Sequence, residues 1–216
     1  MKRVTFIAGH YGSGKTNVAV NLAIKKAKEN EKIKIADLDI VNPYFRTKDS
    51  KEILSKYNIE LIASDFANSN LDIPSLPQQM YSVADEKDFN FIVDVGGDER
   101  GALALGRLHS RVGEDEYDMF VTVNFYRPLS SEVEDIIKIM EEIEFASRFH
   151  FTGIINNSNI GSATDEKDIL NSVKKAEELS KRTNLPIVMT SVREDLYDSL
   201  KDRINNLFPL KLQTTI

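Results

Sequence analysis

Gly9-His10-Tyr11-Gly12-Ser13-Gly14-Lys15-Thr16 is the stretch that decides how this chain is read. It fits G-x-x-x-x-G-K-[ST], the spacing of a phosphate-binding loop. By average residue frequencies the pattern arises by chance in roughly one chain in a hundred of this size. Its flanks make chance a weaker explanation. Residues 2–8 form a short β-rich run that reads as a buried strand, and residues 17–27 read as a helix with an apolar face. Strand, glycine loop, helix is the setting such a loop needs.

Each residue type in the loop has a physical reason. A polyphosphate carries several negative charges, and backbone N–H groups can wrap it. Gly9, Gly12 and Gly14 let the backbone come close to phosphate with no Cβ in the way. Ser13 lies between two of them. The helix beginning near Lys15, with Asn17 in its first turn, adds free N–H groups and the positive end of a dipole. Lys15 is expected to reach the β- and γ-phosphates, and the Thr16 hydroxyl to ligate Mg²⁺. The plain alternative is a glycine-rich turn with a surface lysine.

Working outward, strand and helix signals alternate to the end of the 216 residues. Further strands are expected at 32–36, 59–63, 90–95, 118–123, 151–155 and 185–189. Helices are expected at 49–57, after Ser131 with a capping partner at Glu134, across Ile169 to Leu179, and after Ser191 with a partner at Glu194. The pattern predicts a three-layer α/β/α sandwich on a mostly parallel sheet of about seven strands. No internal repeat or Gly/Ser linker divides it, so one domain over 1–216 is the simplest organisation.

Composition narrows the function classes. The formal net charge is −6, which disfavours a nucleic-acid binder. There is no cysteine, so disulfides, thiolate zinc sites and cysteine-held iron–sulfur clusters are impossible. No run approaches the ~20 apolar residues of a membrane span. Met1-Lys2-Arg3 enters a strand with no apolar leader. Pro209 interrupts the short apolar stretch 207–212, which argues against a membrane-lying helix there. A cytoplasmic protein is the expectation.

Two acidic motifs follow predicted strands. Ala36-Asp37-Leu38-Asp39 sets two carboxylates at a strand's C-terminal end, where open α/β sheets bind ligands. There Asp37 would hold a Mg²⁺-bound water, and Asp39 would orient or deprotonate an attacking water. The alternative is a pair of ordinary loop or N-cap acids. Phe91-Ile92-Val93-Asp94-Val95-Gly96-Gly97 is an apolar run closing on an acid, so Asp94 is expected to reach Mg²⁺ through water. Gly97 suits a loop whose N–H contacts the γ-phosphate and shifts when it leaves.

Together, residues 9–16, Asp37-Leu38-Asp39 and Asp94-Val95-Gly96-Gly97 resemble the MinD/ParA/CobQ-type superfamily of P-loop nucleotide-binding proteins, over nearly the whole chain. The resemblance implies an ATP and Mg²⁺ site, slow hydrolysis, and often a dimer, or another protein partner, with nucleotide at the interface. One departure stands out. The MinD/ParA branch has lysine at the second loop position, reaching the partner's phosphates. Here that position is His10, followed by Tyr11. His10 is either a phosphate or partner contact or a solvent-facing loop residue.

In the same superfamily an asparagine after the sixth strand touches the base. Asn156-Asn157-Ser158-Asn159 contains no acid, whereas guanine's N–H donors call for a carboxylate acceptor. That favours adenine, read by Asn156 or Asn157. The plain alternative is an asparagine-rich turn. The long loop 65–74 is either a binder of a partner or second substrate or a rigid surface excursion. Each of the arginines Arg46, Arg100, Arg107 and Arg127 is either a group that stabilises transferring phosphate, in cis or in a dimer, or a solvated surface arginine, with Arg46 and Arg100 the better candidates because they follow the acidic motifs. The expected function is a Mg²⁺-dependent ATPase acting as a conformational switch. A small-molecule kinase or ligase and a non-hydrolysing nucleotide module are the alternatives.

Overall fold

The computed structural model describes residues 1–38, 50–63 and 78–212. Asp39, Arg46 and the loop 65–74 lie outside the described residues. The strands are β1 (Val4–Ala8), β2 (Ile33–Leu38), β3 (Glu60–Ala63), β4 (Asn90–Val95), β5 (Tyr117–Val123), β6 (Gly153–Asn156), β7 (Ile187–Arg193) and β8 (Leu207–Leu210). They form one sheet in the order β3-β2-β4-β1-β5-β6-β7-β8, and every neighbouring pair is parallel. The helices are α1 (Lys15–Lys28), α2 (Lys51–Ser55), α3 (Ser82–Asp85), α4 (Glu99–Gly106), α5 (Val133–Ser147), α6 (Glu166–Thr183) and α7 (Glu194–Leu200). Among the described residues no helix is long and apolar enough to cross a membrane.

A parallel sheet must be covered on both faces, and its strands then read as continuous apolar runs. Every residue of β1 and β2 is buried. Side chains alternate between the faces. Phe6 packs with Leu105, Ile136 and Phe149 under α4 and α5, while Ile7 packs with Val18, Leu22 and Ile92 under α1. Phe6, Tyr117 and Phe149 form a tilted aromatic cluster with centroids 4.8 to 5.9 Å apart. Truncating Phe6 to alanine would cost about 3–5 kcal/mol, since it is fully buried and packed on rings.

The sheet gains an eighth strand beyond the seven read from the sequence. β8 is four residues long and contains Pro209, which weakened its signal. Proline is tolerated there because β8 is an edge strand, paired with β7 alone. Asn21 of α1 holds its end, donating to the Lys211 carbonyl and accepting the Lys211 N–H, both at 3.0 Å.

Helix starts are where local reading needs correction. The box expected at Ser131 and Glu134 does not form: α5 starts at Val133 with Glu132 as an N-cap that makes no side-chain cap bond. Glu134 turns to Arg182, and the Ser131 carbonyl accepts from Lys175 Nζ at 2.7 Å. The box at Ser191 and Glu194 is also absent, because β7 runs on to Arg193 in register with Leu210, and α7 begins only at Glu194. An unforeseen box caps α6, where Asp165 and Asp168 each accept the other's N–H.

Strand order fixes where a ligand can sit. β1 lies between β4 and β5, and the chain leaves it toward β2 on one side and β5 to β8 on the other. Beyond the C-terminal ends of the strands at such a switch point lies a crevice. The loop 9–16 opens into it.

Candidate functional site

Glycine decides the shape of the loop. Gly9, Gly12 and Gly14 have φ of 137°, 79° and 85°, a region that other residues enter at a cost. A Cβ on Gly9 would stand 2.4 Å from the Thr122 carbonyl oxygen of β5, and one on Gly14 would stand 2.3 Å from Asn157 Nδ2. Gly14 is the left-handed N-cap of α1, and no side chain caps that end. Ser13 N–H closes the turn on the His10 carbonyl at 3.2 Å, and Val18 N–H makes the helical bond to Gly14 at 3.1 Å. The N–H groups of Lys15, Thr16 and Asn17 lie in the first turn, where no intrahelical acceptor exists. The Ser13 hydroxyl is buried without a hydrogen-bond partner among the described residues. The result is a concave, donor-lined cradle with a helix dipole behind it.

Three charged groups meet at its mouth. Lys15 is 5% exposed, and its Nζ donates to the His10 carbonyl at 3.2 Å. Thr16 Oγ1 donates to Asp94 Oδ2 at 2.7 Å, tying α1 to the end of β4. Asp37 stands beside Asp94 in register on β2, and both are buried. Gly97 closes over them: a Cβ there would stand 2.6 Å from Tyr11 N and 2.8 Å from Lys15 Nζ. The turn after β4 is then fixed by a feature that sequence reading missed. Asp98 accepts from Gly101 N–H at 3.0 Å and caps α4, and a Cβ on Gly101 would collide with Gly96.

A hydroxyl and a carboxylate in contact, with a second buried carboxylate on the next strand, suit a divalent cation shared with phosphate. Among the described residues no group of three or more His, Asp or Glu could cage a metal alone. Mg²⁺ takes one or two protein oxygens and leaves the rest to water and phosphate, so the Thr16 hydroxyl and the two carboxylates are donors of the right kind for it.

The asparagines after β6 face inward. Asn156 is fully buried, its Nδ2 donating to Ser172 at 2.9 Å and its Oδ1 accepting from Ser158 at 2.7 Å. Asn157 Nδ2 donates to the Ser13 carbonyl at 2.7 Å, and its Oδ1 accepts from Ser191. Asn157 therefore links the phosphate loop to β7. Next to it a small cleft opens, lined by Asn157, Asn159, Ser191, Val192, Arg193 and Leu210 among others. The Arg193 guanidinium, its pKa raised by hydrogen bonding to Asp195, also donates to the Ser162 carbonyl and closes one side of this cleft. His10 Nδ1 lies 2.8 Å from the Tyr11 carbonyl, and Tyr11 itself is exposed.

A parallel sheet with a glycine cradle between its first strand and first helix, and an acid on the adjoining strand, is the P-loop NTPase fold. No family model and no curated protein sequence matches the chain. Solved structures do match in fold. Cell division protein FtsY from Thermotoga maritima aligns at 14% identity and TM-score 0.62, over 89% of this chain and 62% of that one. The signal recognition particle receptor FtsY from Elizabethkingia anophelis, in complex with GDP, aligns at 14% identity and TM-score 0.53, over 89% and 58%. A nucleotide-binding protein from Archaeoglobus fulgidus, in complex with ADP, aligns at 12% identity and TM-score 0.54, over 91% and 84%. The chain spans less than two thirds of the length of the FtsY chains.

Proposed function

We propose that this chain is a nucleotide-binding domain that binds ATP with Mg²⁺ at residues 9–17 and hydrolyses it slowly as a conformational switch. The observation that carries the reading is the contact of Thr16 Oγ1 with Asp94 Oδ2 beside buried Lys15, at the mouth of a loop only glycine can form. In this reading the backbone N–H groups of Gly12 to Asn17 hold phosphate, and the Ser13 hydroxyl gains the partner it lacks among the described residues. Lys15 turns from the His10 carbonyl to the β- and γ-phosphates. Thr16, Asp94 and Asp37 hold Mg²⁺, directly or through water. The ion supplies positive charge against the phosphate oxygens.

Asp39 orients the attacking water, a role that rests on its place two residues after Asp37. Gly97, in contact distance of the loop, gives the γ-phosphate a sensor: filling or emptying that position shifts the turn that leads into α4. Adenine is the base, because residues 156–159 offer no carboxylate to guanine. Its place is the cleft beside Asn157 and Ser191, with Asn156 acting behind Asn157. The MinD/ParA/CobQ resemblance supports the choice of adenine, while the GDP and ADP complexes of the neighbours support a nucleotide site without choosing the base.

The test is turnover of ATP with Mg²⁺, following ADP and phosphate. Slow release of both in equal amounts is expected. Asp39→Ala should keep ATP bound and lose about a hundredfold in rate. Turnover that appears only with an added small-molecule acceptor would replace the switch with a kinase or ligase.

A further inference from the structure

We propose that Arg127 is the arginine that this chain supplies, from within itself, to the terminal phosphate of a bound triphosphate; the inference rests on the nucleotide reading above. Sequence order favoured Arg46 and Arg100, because they follow the acidic motifs. The fold points elsewhere. β5 pairs with β1 up to Ala8 and Val121, so the loop leaving β5 emerges beside the phosphate loop. Among the described residues, a Cβ built on Gly12 would touch one side chain, that of Arg127, at 3.9 Å from both Cδ and Nε. Arg127 thus lies against the loop at Gly12.

The backbone that carries it is firmly held. Asn124 Oδ1 accepts the N–H of Tyr126 at 3.0 Å and of Asn159 at 3.2 Å. The Asn124 carbonyl accepts from Arg127 N–H at 3.1 Å and from Ser130 Oγ at 2.9 Å. Phe125 N–H donates to Ser158 Oγ at 3.0 Å, and the Tyr126 hydroxyl donates to the Asp168 carbonyl at 2.8 Å. Burial, then the charges of Asp168 and Asp165, push the Tyr126 phenol up, so it stays a neutral donor. Against this fixed frame the Arg127 side chain is exposed and makes no hydrogen bond or ion pair among the described residues. Arg3, Arg111, Arg182, Arg193 and Arg203 each hold a carboxylate; Arg100, Arg107 and Arg148, like Arg127, hold none among the described residues, so its place against Gly12 is what singles Arg127 out. A guanidinium kept from internal pairing and aimed over a phosphate cradle has its charge available for a ligand.

The chemistry asks for such a group. Water oxygen forms a bond to the γ-phosphorus as the bond to the β,γ-bridging oxygen breaks. The electron pair leaves with ADP, and inorganic phosphate and a proton are released. Negative charge builds on the bridging and γ-oxygens, which a guanidinium meets with paired N–H donors. ADP lacks that γ-group, so Arg127 should distinguish triphosphate from diphosphate.

The experiment compares wild type and Arg127→Ala by calorimetry with a non-hydrolysable ATP analogue and with ADP, each with Mg²⁺, and then measures turnover. Expected are a loss of about tenfold or more in analogue affinity, ADP affinity within about threefold, an unchanged melting temperature, and a kcat lower by about a hundredfold with partial rescue by added guanidinium ion. Arg127→Lys should recover charge but little of the rate, because it loses the planar fork. Equal losses for analogue and ADP, or no loss of either, would overturn the assignment while the wild-type nucleotide site stands. A wild type that takes up neither nucleotide would instead remove the reading beneath it.

Discussion

At the N-terminal edge of the sheet, Lys34 reaches Glu60 at 2.8 Å and Glu86 at 2.7 Å, and Glu116 holds Lys87 at 2.7 Å and Arg3 at 3.4 Å. At the C-terminal edge, Lys15 leans on a carbonyl of its own loop, Ser13 Oγ has no partner, and Arg127 pairs with no carboxylate among the described residues. The same sheet carries both edges. At the first, ion pairs between side chains tie neighbouring strands and loops together and so serve stability. At the second, the first-turn N–H groups of α1 have no intrahelical acceptor and Ser13 Oγ has no partner among the described residues, which is the condition for binding an anion. The difference also predicts that substitutions at the two edges will fail in different assays.

The largest effect should come from Lys15→Ala. ATP affinity or turnover should fall by about a hundredfold or more, with the fold intact by circular dichroism and melting. Unchanged affinity and rate would break the contrast at its strongest point. Gly14→Ala comes next, since it forces a Cβ against Asn157 at φ 85°. Strain of about 1–3 kcal/mol should appear as a lower denaturant midpoint, with nucleotide affinity weakened as well.

Lys34→Met probes the opposite edge. Its side chain is 9% exposed, but Glu60 and Glu86 are wetter, so a stability loss of about 1 kcal/mol is expected, with ATP affinity unmoved. The smallest effect is in acid. The Lys87 ammonium, the Gly113 N–H and the nearby Arg3 charge hold the Glu116 carboxyl below its ordinary value of 4.5. A carboxylate depressed in the folded state adds stability above its unfolded value, and that stability is lost as pH falls through the folded value. Below about pH 4.5, Glu116→Gln should flatten the decline in unfolding free energy seen in wild type.

What could be read ahead of the structure was whatever a short stretch imposes on itself. The glycines and Lys15-Thr16 form a local constraint, and the apolar runs of β1 and β4 carry their own signal. β8 was hidden because Pro209 is acceptable only at an edge, and an edge is a property of the whole sheet. The expected caps at Ser131 and Ser191 gave way to distant partners, Lys175 for the first carbonyl and Asn157 for the second hydroxyl. The helix after Gly97 depends on Asp98 turning back to Gly101, a short-range signal that the sequence itself carries. The embrace of Ser13 by Asn157 and the approach of Arg127 to Gly12 join residues far apart in sequence. Composition and spacing carry no trace of either. Asp39 and the loop 65–74 keep their sequence-based expectations.

Calorimetric titration of ATP with Mg²⁺ into the wild-type protein, repeated with Lys15→Ala, tests the central claim most directly. The account predicts saturable uptake of one ATP per chain by wild type and its loss in the variant. A folded wild type that takes up neither ATP nor GTP, or a variant that binds ATP as wild type does, would contradict it.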